Sequence, residues 1–313
     1  MSTRILKAFA LALLCALQVA SADTSSRWSI PLNIDQDRLT IEVEWVGETI
    51  EVTLDTAATY PLMDAGLFQR VNGEPLNETI DIFGVTGVRT YHVGQTGALS
   101  LGNKTYPNLN VAIASSLPDD APKAIFPVSS LEGRTLDFQF SKSRLEVYNF
   151  APREEKRAVR SRFSYQLIQG VPFIPVELNG VKGLALVDTG SDVTYINSAY
   201  ASVAGATFLP EKTLEIFGTG PETSPVKIMR AERFDLGDHR KEKFEILSAN
   251  TPVFDYVGRA ERPSMVLGMD TLGALRLQID REKQEIILSR RESAANGRRY
   301  HVSPMSGRIK RKR

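Results

Sequence analysis

Two stretches of the chain alternate apolar and polar residues with period two, and each runs into an aspartate. In the first, LTIEVEW (Leu39–Trp45) and TIEVTL (Thr49–Leu54) flank Val46-Gly47-Glu48, predicting a β-hairpin with one buried face that ends at Asp55. In the second, VPFIPVELNGVKGLALVD (Val171–Asp188) turns at Asn179-Gly180, a pair that tolerates positive φ at both positions and so suits a type I′ turn. Its second strand becomes wholly apolar before it reaches Asp188. An ionised carboxylate at the end of a buried strand is costly unless its charge is shared. Asp55 and Asp188 are each other's candidate partners.

More landmarks repeat in the same order. A possible helix cap follows each aspartate, Asp64 in one half and Ser198 in the other. DIFGVTG (Asp81–Gly87) answers EIFGTG (Glu215–Gly220), with glycines among β-branched and aromatic residues, the composition of a long mobile hairpin. LSLGNKTYPNLNVAIAS (Leu99–Ser115) answers FDLGDHRKEKFEILSAN (Phe234–Asn250). These landmarks lie 133 to 135 positions apart, and a nearly constant offset points to an internal duplication. The expected division is a lobe over 23–150, a charged solvated linker or short exposed helix over 151–162, and a second lobe over 163–290.

Asp188-Thr189-Gly190-Ser191, followed by Asp192 and Ile196, resembles the active-site loop of the retropepsin-like and pepsin-like aspartic proteases, and Asp55-Thr56 is its degraded counterpart. The resemblance implies an all-β fold of two acid-protease lobes forming a pseudo-dimer around a cleft. It implies Asp55 and Asp188 as catalytic residues, with Thr56 and Thr189 bonding across to hold them. Gly190 and Asp192, and Gly84 and Gly218 of the two hairpins, would bind substrate, the hairpins closing as flaps. Val266-Leu267-Gly268 resembles the family's segment behind the catalytic loop, where glycine allows two backbones to approach closely. The first half departs from the family in three places. Ala57 stands where the second half has Gly190; Ile125-Phe126-Pro127 stands for Val266-Leu267-Gly268; and the first loop reads one residue short, Leu62 following Asp55 by seven positions where Ile196 follows Asp188 by eight.

Composition changes this picture little. A hydrophobic content of 42% and a net charge of +1 give no field of one sign that would attract nucleic acid. Residues 1–22 read as a signal peptide, with Arg4 and Lys7 before AFALALLCALQVA and a small-residue site at Ala20-Ser21-Ala22, so export to the periplasm or beyond is expected. The apolar run is too short to span a membrane. The single cysteine, Cys15, falls within it, leaving the mature chain without a thiol and reliant on its core. Residues 291–313 are polar and basic and read as a disordered tail. His92, His239 and His301 are scattered, so neither a metal site nor a Ser-His-Asp arrangement is suggested, and no cofactor is implied.

Two functions are compatible with these residues. One is an aspartic endopeptidase, acting as a monomer on a peptide or protein substrate with water activated between Asp55 and Asp188. The other is an inactive relative that binds extended peptides in the cleft by strand addition. Two facing carboxylates that repel are of no use to the second, which favours the enzyme.

Overall fold

The computed structural model describes residues 27–84, 87–117, 121–156, 158–217 and 223–291. The leader at 1–22, Gly218 and residues 292–313 of the basic tail lie outside the described residues. What is described is nearly all β, with four short helices, in two lobes.

Both predicted hairpins form. In Arg38–Trp45 and Glu48–Asp55, Ile41, Val43, Trp45, Ile50, Val52 and Leu54 are buried while Glu42, Glu44 and Glu51 face out. Asn179 and Gly180 turn with φ of 50° and 84°, the signs a type I′ turn requires.

The sheets of the two lobes share one strand order. In the second lobe it runs Thr207–Phe217, Thr223–Leu236, His239–Ser248, Tyr195–Ile196, Ser264–Leu267, Val181–Val187, Val171–Leu178, Gln166–Ile168. In the first it runs Glu74–Gly84, Gly87–Thr96, Leu109–Ala114, Leu62–Asp64, Ala124–Pro127, Glu48–Asp55, Arg38–Trp45, with Asn33–Asp35 paired to the last. The first lobe adds a short hairpin, Leu99–Leu101 with Lys104–Tyr106, where the second has continuous long strands. In both lobes the aspartate-bearing strand therefore lies between its hairpin partner and a parallel neighbour, and its aspartate emerges at the end of the sheet.

A third sheet belongs to both lobes. Its order is Arg27–Pro31, Arg144–Tyr148, Thr135–Gln139, Arg276–Asp280, Glu285–Arg291, Ala158–Ser164, three strands from each half. The halves meet where Thr135–Gln139 runs antiparallel to Arg276–Asp280, with Asp137 opposite Gln278 at the centre. One apolar cluster continues through this junction, from Leu136 and Phe138 to Leu277 and Ile279. Smaller clusters sit beneath each lobe's long hairpin, around Tyr195 and Phe254 in one lobe and around Leu62 and Tyr91 in the other.

Ala158–Ser164 corrects the expected linker. Its charges alternate because it is a strand: Ser161 and Phe163 turn inward, while Arg160 pairs with Glu154 at 2.8 Å and Arg162 with Glu285 at 2.5 Å. One of the two expected helix caps also shifts by one residue. Asp64 caps Ala65–Arg70 by accepting from the Gly66 amide at 2.9 Å, but Asn197, not Ser198, caps Ser198–Val203, accepting from Tyr200 at 2.9 Å.

The junction carries a buried ion pair. Asp137 is fully buried and accepts two bonds from Arg276 of the other lobe, Nε to Oδ1 at 2.7 Å and Nη2 to Oδ2 at 2.5 Å, and one from the Tyr148 hydroxyl at 3.1 Å. Gln278 donates both to Asp137 at 3.3 Å and to the Arg153 carbonyl at 3.2 Å, tying the connecting segment down. Removing one member of such a pair strands the other charge, at a cost of about 3–5 kcal/mol. Asp137→Ala is expected to lose stability of that order in denaturant unfolding, and the double variant Asp137→Leu/Arg276→Met to recover most of it.

Candidate active site

Each catalytic-type loop is shaped by its own aspartate. Asp188 Oδ1 accepts from the backbone amides two and three residues on, Gly190 at 2.9 Å and Ser191 at 3.1 Å. Asp55 Oδ1 does the same with Ala57 at 2.6 Å and Ala58 at 3.0 Å. A short carboxylate folding its own backbone into a turn in this way needs only amides at those positions, and alanine supplies one as well as glycine does.

The threonines then lock the loops together. Thr56 Oγ1 donates to the Val187 carbonyl at 2.7 Å and accepts from the Thr189 amide at 2.9 Å. Thr189 Oγ1 reciprocates, donating to the Leu54 carbonyl at 2.8 Å and accepting from the Thr56 amide at 3.1 Å. Both threonines are buried. This clasp brings the Asp55 and Asp188 side chains within hydrogen-bonding reach of each other.

The pair cannot ionise as two free carboxylates would. Burial raises both pKa values; the Ala57 and Ala58 amides and a bond from Asp188 partly offset this for Asp55, while the Asp55 charge pushes Asp188 further up. Asp188 is thus raised further than Asp55, and the two titrate as a pair.

The three departures resolve differently. The Ala57 methyl packs against the apolar cluster of the opposite lobe. At the twin position there is no such room, since a Cβ built on Gly190 would lie 2.4 Å from the Asp55 carboxylate. Ile125-Phe126-Pro127 does stand for Val266-Leu267-Gly268, because Phe126 pairs with Leu54 as Leu267 pairs with Val187. Gly268 allows the expected close approach, a Cβ there meeting the Val193 carbonyl oxygen at 2.4 Å. Its amide donates to Thr194 Oγ1 at 3.0 Å, and the first lobe replaces both ends of that bond, Pro127 for the donor and Pro61 for the acceptor, so no buried donor is orphaned. The expected length difference is overturned. Leu62 pairs with Ile125 as Tyr195 pairs with Val266, so Tyr195, not Ile196, is the counterpart of Leu62 and both loops span seven positions.

The remaining predicted residues surround the pair. Asp192 faces Arg38 of the first lobe, Oδ2 to Nη2 3.7 Å; burial, with Asp37 and Asp270 nearby, pushes it up to about 6 against the pull of Arg38. Gly84 pairs with Gly87 near the end of the first hairpin. Just before it, Phe83 stacks on Tyr256 of the second lobe with ring centroids 3.8 Å apart and planes 19° from parallel, so this hairpin lies docked on helix Pro252–Tyr256. Sequence reasoning missed Arg38, Phe83 and Tyr256, whose partners are more than 150 positions away with no local pattern to announce them. Among the described residues there is no group of His, Cys, Asp and Glu that could hold a metal ion, and no helix long and apolar enough to cross a membrane.

A raised carboxyl pKa makes stability pH-dependent with a definite sign. The folded chain holds the Asp188 proton more tightly than the unfolded chain, so this group favours folding below about pH 4 and the benefit is lost as pH rises through the folded value. Asp188→Asn keeps an oxygen for the Gly190 and Ser191 amides and removes the titration. It is expected to be more stable than the parent at pH 7 and to converge with it below pH 4, as measured by denaturant unfolding at both.

Comparison with known proteins agrees with this geometry. Residues 174–271 match the aspartyl protease family. A crystal structure of the aspartic proteinase from Irpex lacteus superimposes with a TM-score of 0.52 at 11% identity, covering 85% of this chain and 98% of that one. No curated protein matches the chain. The second lobe thus carries the aspartyl protease family match, and the fold over both lobes is that of an aspartic proteinase.

Proposed function

We propose that this protein is an aspartic endopeptidase in which Asp55 and Asp188 activate a water molecule against a peptide bond. The observation that carries the reading is the complete reciprocal clasp of Thr56 and Thr189, which holds two buried carboxylates together. A chain that only bound peptides would have no use for that repulsion.

Asp55, the more readily ionised member, takes a proton from water. The water oxygen attacks the scissile carbonyl carbon, and the carbonyl oxygen receives the Asp188 proton, giving a tetrahedral diol with no covalent bond to the enzyme. Asp55 then returns its proton to the leaving nitrogen as the C–N bond breaks, and Asp188 recovers one from the diol. The proton count of the pair is restored. Rigid placement by the threonine clasp is what makes each transfer short.

The shared strand order of the two lobes supports their origin by internal duplication. The pattern of residues 1–22 supports export, and the scarcity of cysteine fits a mature chain that depends on its packed core.

Asp55→Asn and Asp188→Asn are each expected to reduce cleavage of an unfolded protein substrate by at least about 1000-fold, since neither residue alone can act as both acid and base. Wild-type cleavage should peak at mildly acidic pH, where the pair carries one proton, and a general aspartic-protease inhibitor should block it. Ala57→Gly should preserve the rate. Equal rates in wild type and Asp188→Asn would assign any cleavage to a contaminant and leave the peptide-binding reading in place.

The Phe83–Tyr256 stack adds a second expectation. Such a pair contributes about 0.5–1.5 kcal/mol beyond the area it buries. Tyr256→Ala should speed amide hydrogen exchange in strands 74–84 and 87–96 by at least about 2-fold, the ratio the lower end of that range implies before the lost area is added, leaving exchange in the shared sheet unchanged.

A further inference from the structure

The segments behind the two aspartates are held in different ways. Behind Asp188, the chain from Gly268 onward is fastened to its own loop: Gly268 donates to Thr194 Oγ1, Met269 to the Ser191 carbonyl at 2.8 Å and Asp270 to the Asp192 carbonyl at 3.1 Å. Behind Asp55, the corresponding chain from Pro127 onward lacks the first donor. Among the described residues, neither Val128 nor Ser129 makes a backbone bond to the loop at 55–61.

That segment is gripped from the other lobe instead. Arg281 sits in the turn after strand Arg276–Asp280 and reaches into the first lobe. Its Nη2 donates to the Val128 carbonyl at 2.7 Å, and its Nη1 donates to the Leu131 carbonyl and, at 3.3 Å, to that of Gly133. Its backbone amide adds a bond to the Arg134 carbonyl at 3.0 Å. Among the described residues no carboxylate pairs with this guanidinium; burial lowers its pKa, and its electrostatic neighbours are the Tyr106 and Tyr165 hydroxyls. A charged fork spent on backbone carbonyls is placed for geometry rather than for charge neutralisation.

The turn that carries it is itself fixed by the first lobe. Arg134 forks onto Asp280, Nε to Oδ1 at 3.1 Å and Nη2 to Oδ2 at 3.0 Å. Asp280 Oδ1 in turn accepts from the amides of Glu282 and Lys283 at 3.2 and 3.3 Å. Each lobe thus supplies an arginine that holds the other, and the two grips meet at adjacent residues, 280 and 281.

We infer that Arg281 is a positioning residue for the proposed reaction: by holding Val128–Gly133 from the second lobe, it sets strand Ala124–Pro127, and through its pairing with Glu48–Asp55 the depth of Asp55 opposite Asp188. It replaces from outside the support that the second loop obtains from Thr194 and the Gly268 amide. The inference rests on the aspartic-protease reading for its kinetic consequence but not for its geometric one.

The test uses the full-length chain with Arg281→Lys, which keeps the charge but cannot span three carbonyls, and Arg281→Met as the more severe variant. Thermal unfolding fixes the range in which each is folded. On folded protein, kcat for an unfolded protein substrate should fall roughly 10- to 100-fold with KM unchanged, the effect of a displaced catalytic group. Independently of activity, carboxyl-carbon NMR of 13C-aspartate-labelled protein, assigned with Asp55→Asn and Asp188→Asn, reads the two titration steps of the pair. They should lie well apart in the parent and draw together in Arg281→Lys as the carboxylates separate. A variant that loses only thermal stability, with parental kcat and parental splitting, overturns the positioning role. A parent with split titration but no cleavage overturns the protease reading, and the splitting in Arg281→Lys still decides the role of Arg281.

Discussion

Two carboxylates must be kept close although their charges oppose it, and the reciprocal bonding of Thr56 and Thr189 is the interaction that does so. Each threonine hydroxyl donates to a carbonyl of the opposite lobe and accepts an amide from it, so the clasp consists of four bonds with both hydroxyls fully used. Leu54 and Val187, the acceptors, are the last residues before the aspartates. Any slip of one lobe against the other therefore breaks the clasp before it can widen the pair. The shared sheet supplies the stiffness behind it, through the strands that meet at Asp137 and Gln278 and the buried Asp137–Arg276 pair.

The two halves reach one architecture by different local means. Where the second loop leans on Thr194 and the Gly268 amide, the first has Pro61 and Pro127, and its support comes from Arg281 across the junction. Where the second has Gly190 against the Asp55 carboxylate, the first has Ala57 against an apolar cluster. The paired changes leave no buried donor unsatisfied, which is why a loop that looks degraded residue by residue retains its shape.

Much of this was legible in the sequence because it is written in local patterns. Period-two alternation located the hairpins, an apolar strand ending in aspartate located the pair, and Asp64 announced its helix. The errors arose where a local pattern has two solutions. Counting to Ile196 rather than Tyr195 made the first loop look short, since both are apolar and only strand register distinguishes them. Residues 158–162 looked like linker because a charged outer face reads alike in a strand and in a solvated segment. Arg38, Tyr256 and Arg281 carried no signal at all. Their roles are set by partners far along the chain, and one sequence does not record which arginine folds inward.

The bonds of the clasp join residues 131 to 135 positions apart in the chain. Neither lobe alone contains both Asp55 and Asp188, and loops of that length close late in folding. The nascent polypeptide consequently carries the two aspartates apart, and the facing pair comes into being only when the second half docks on the first.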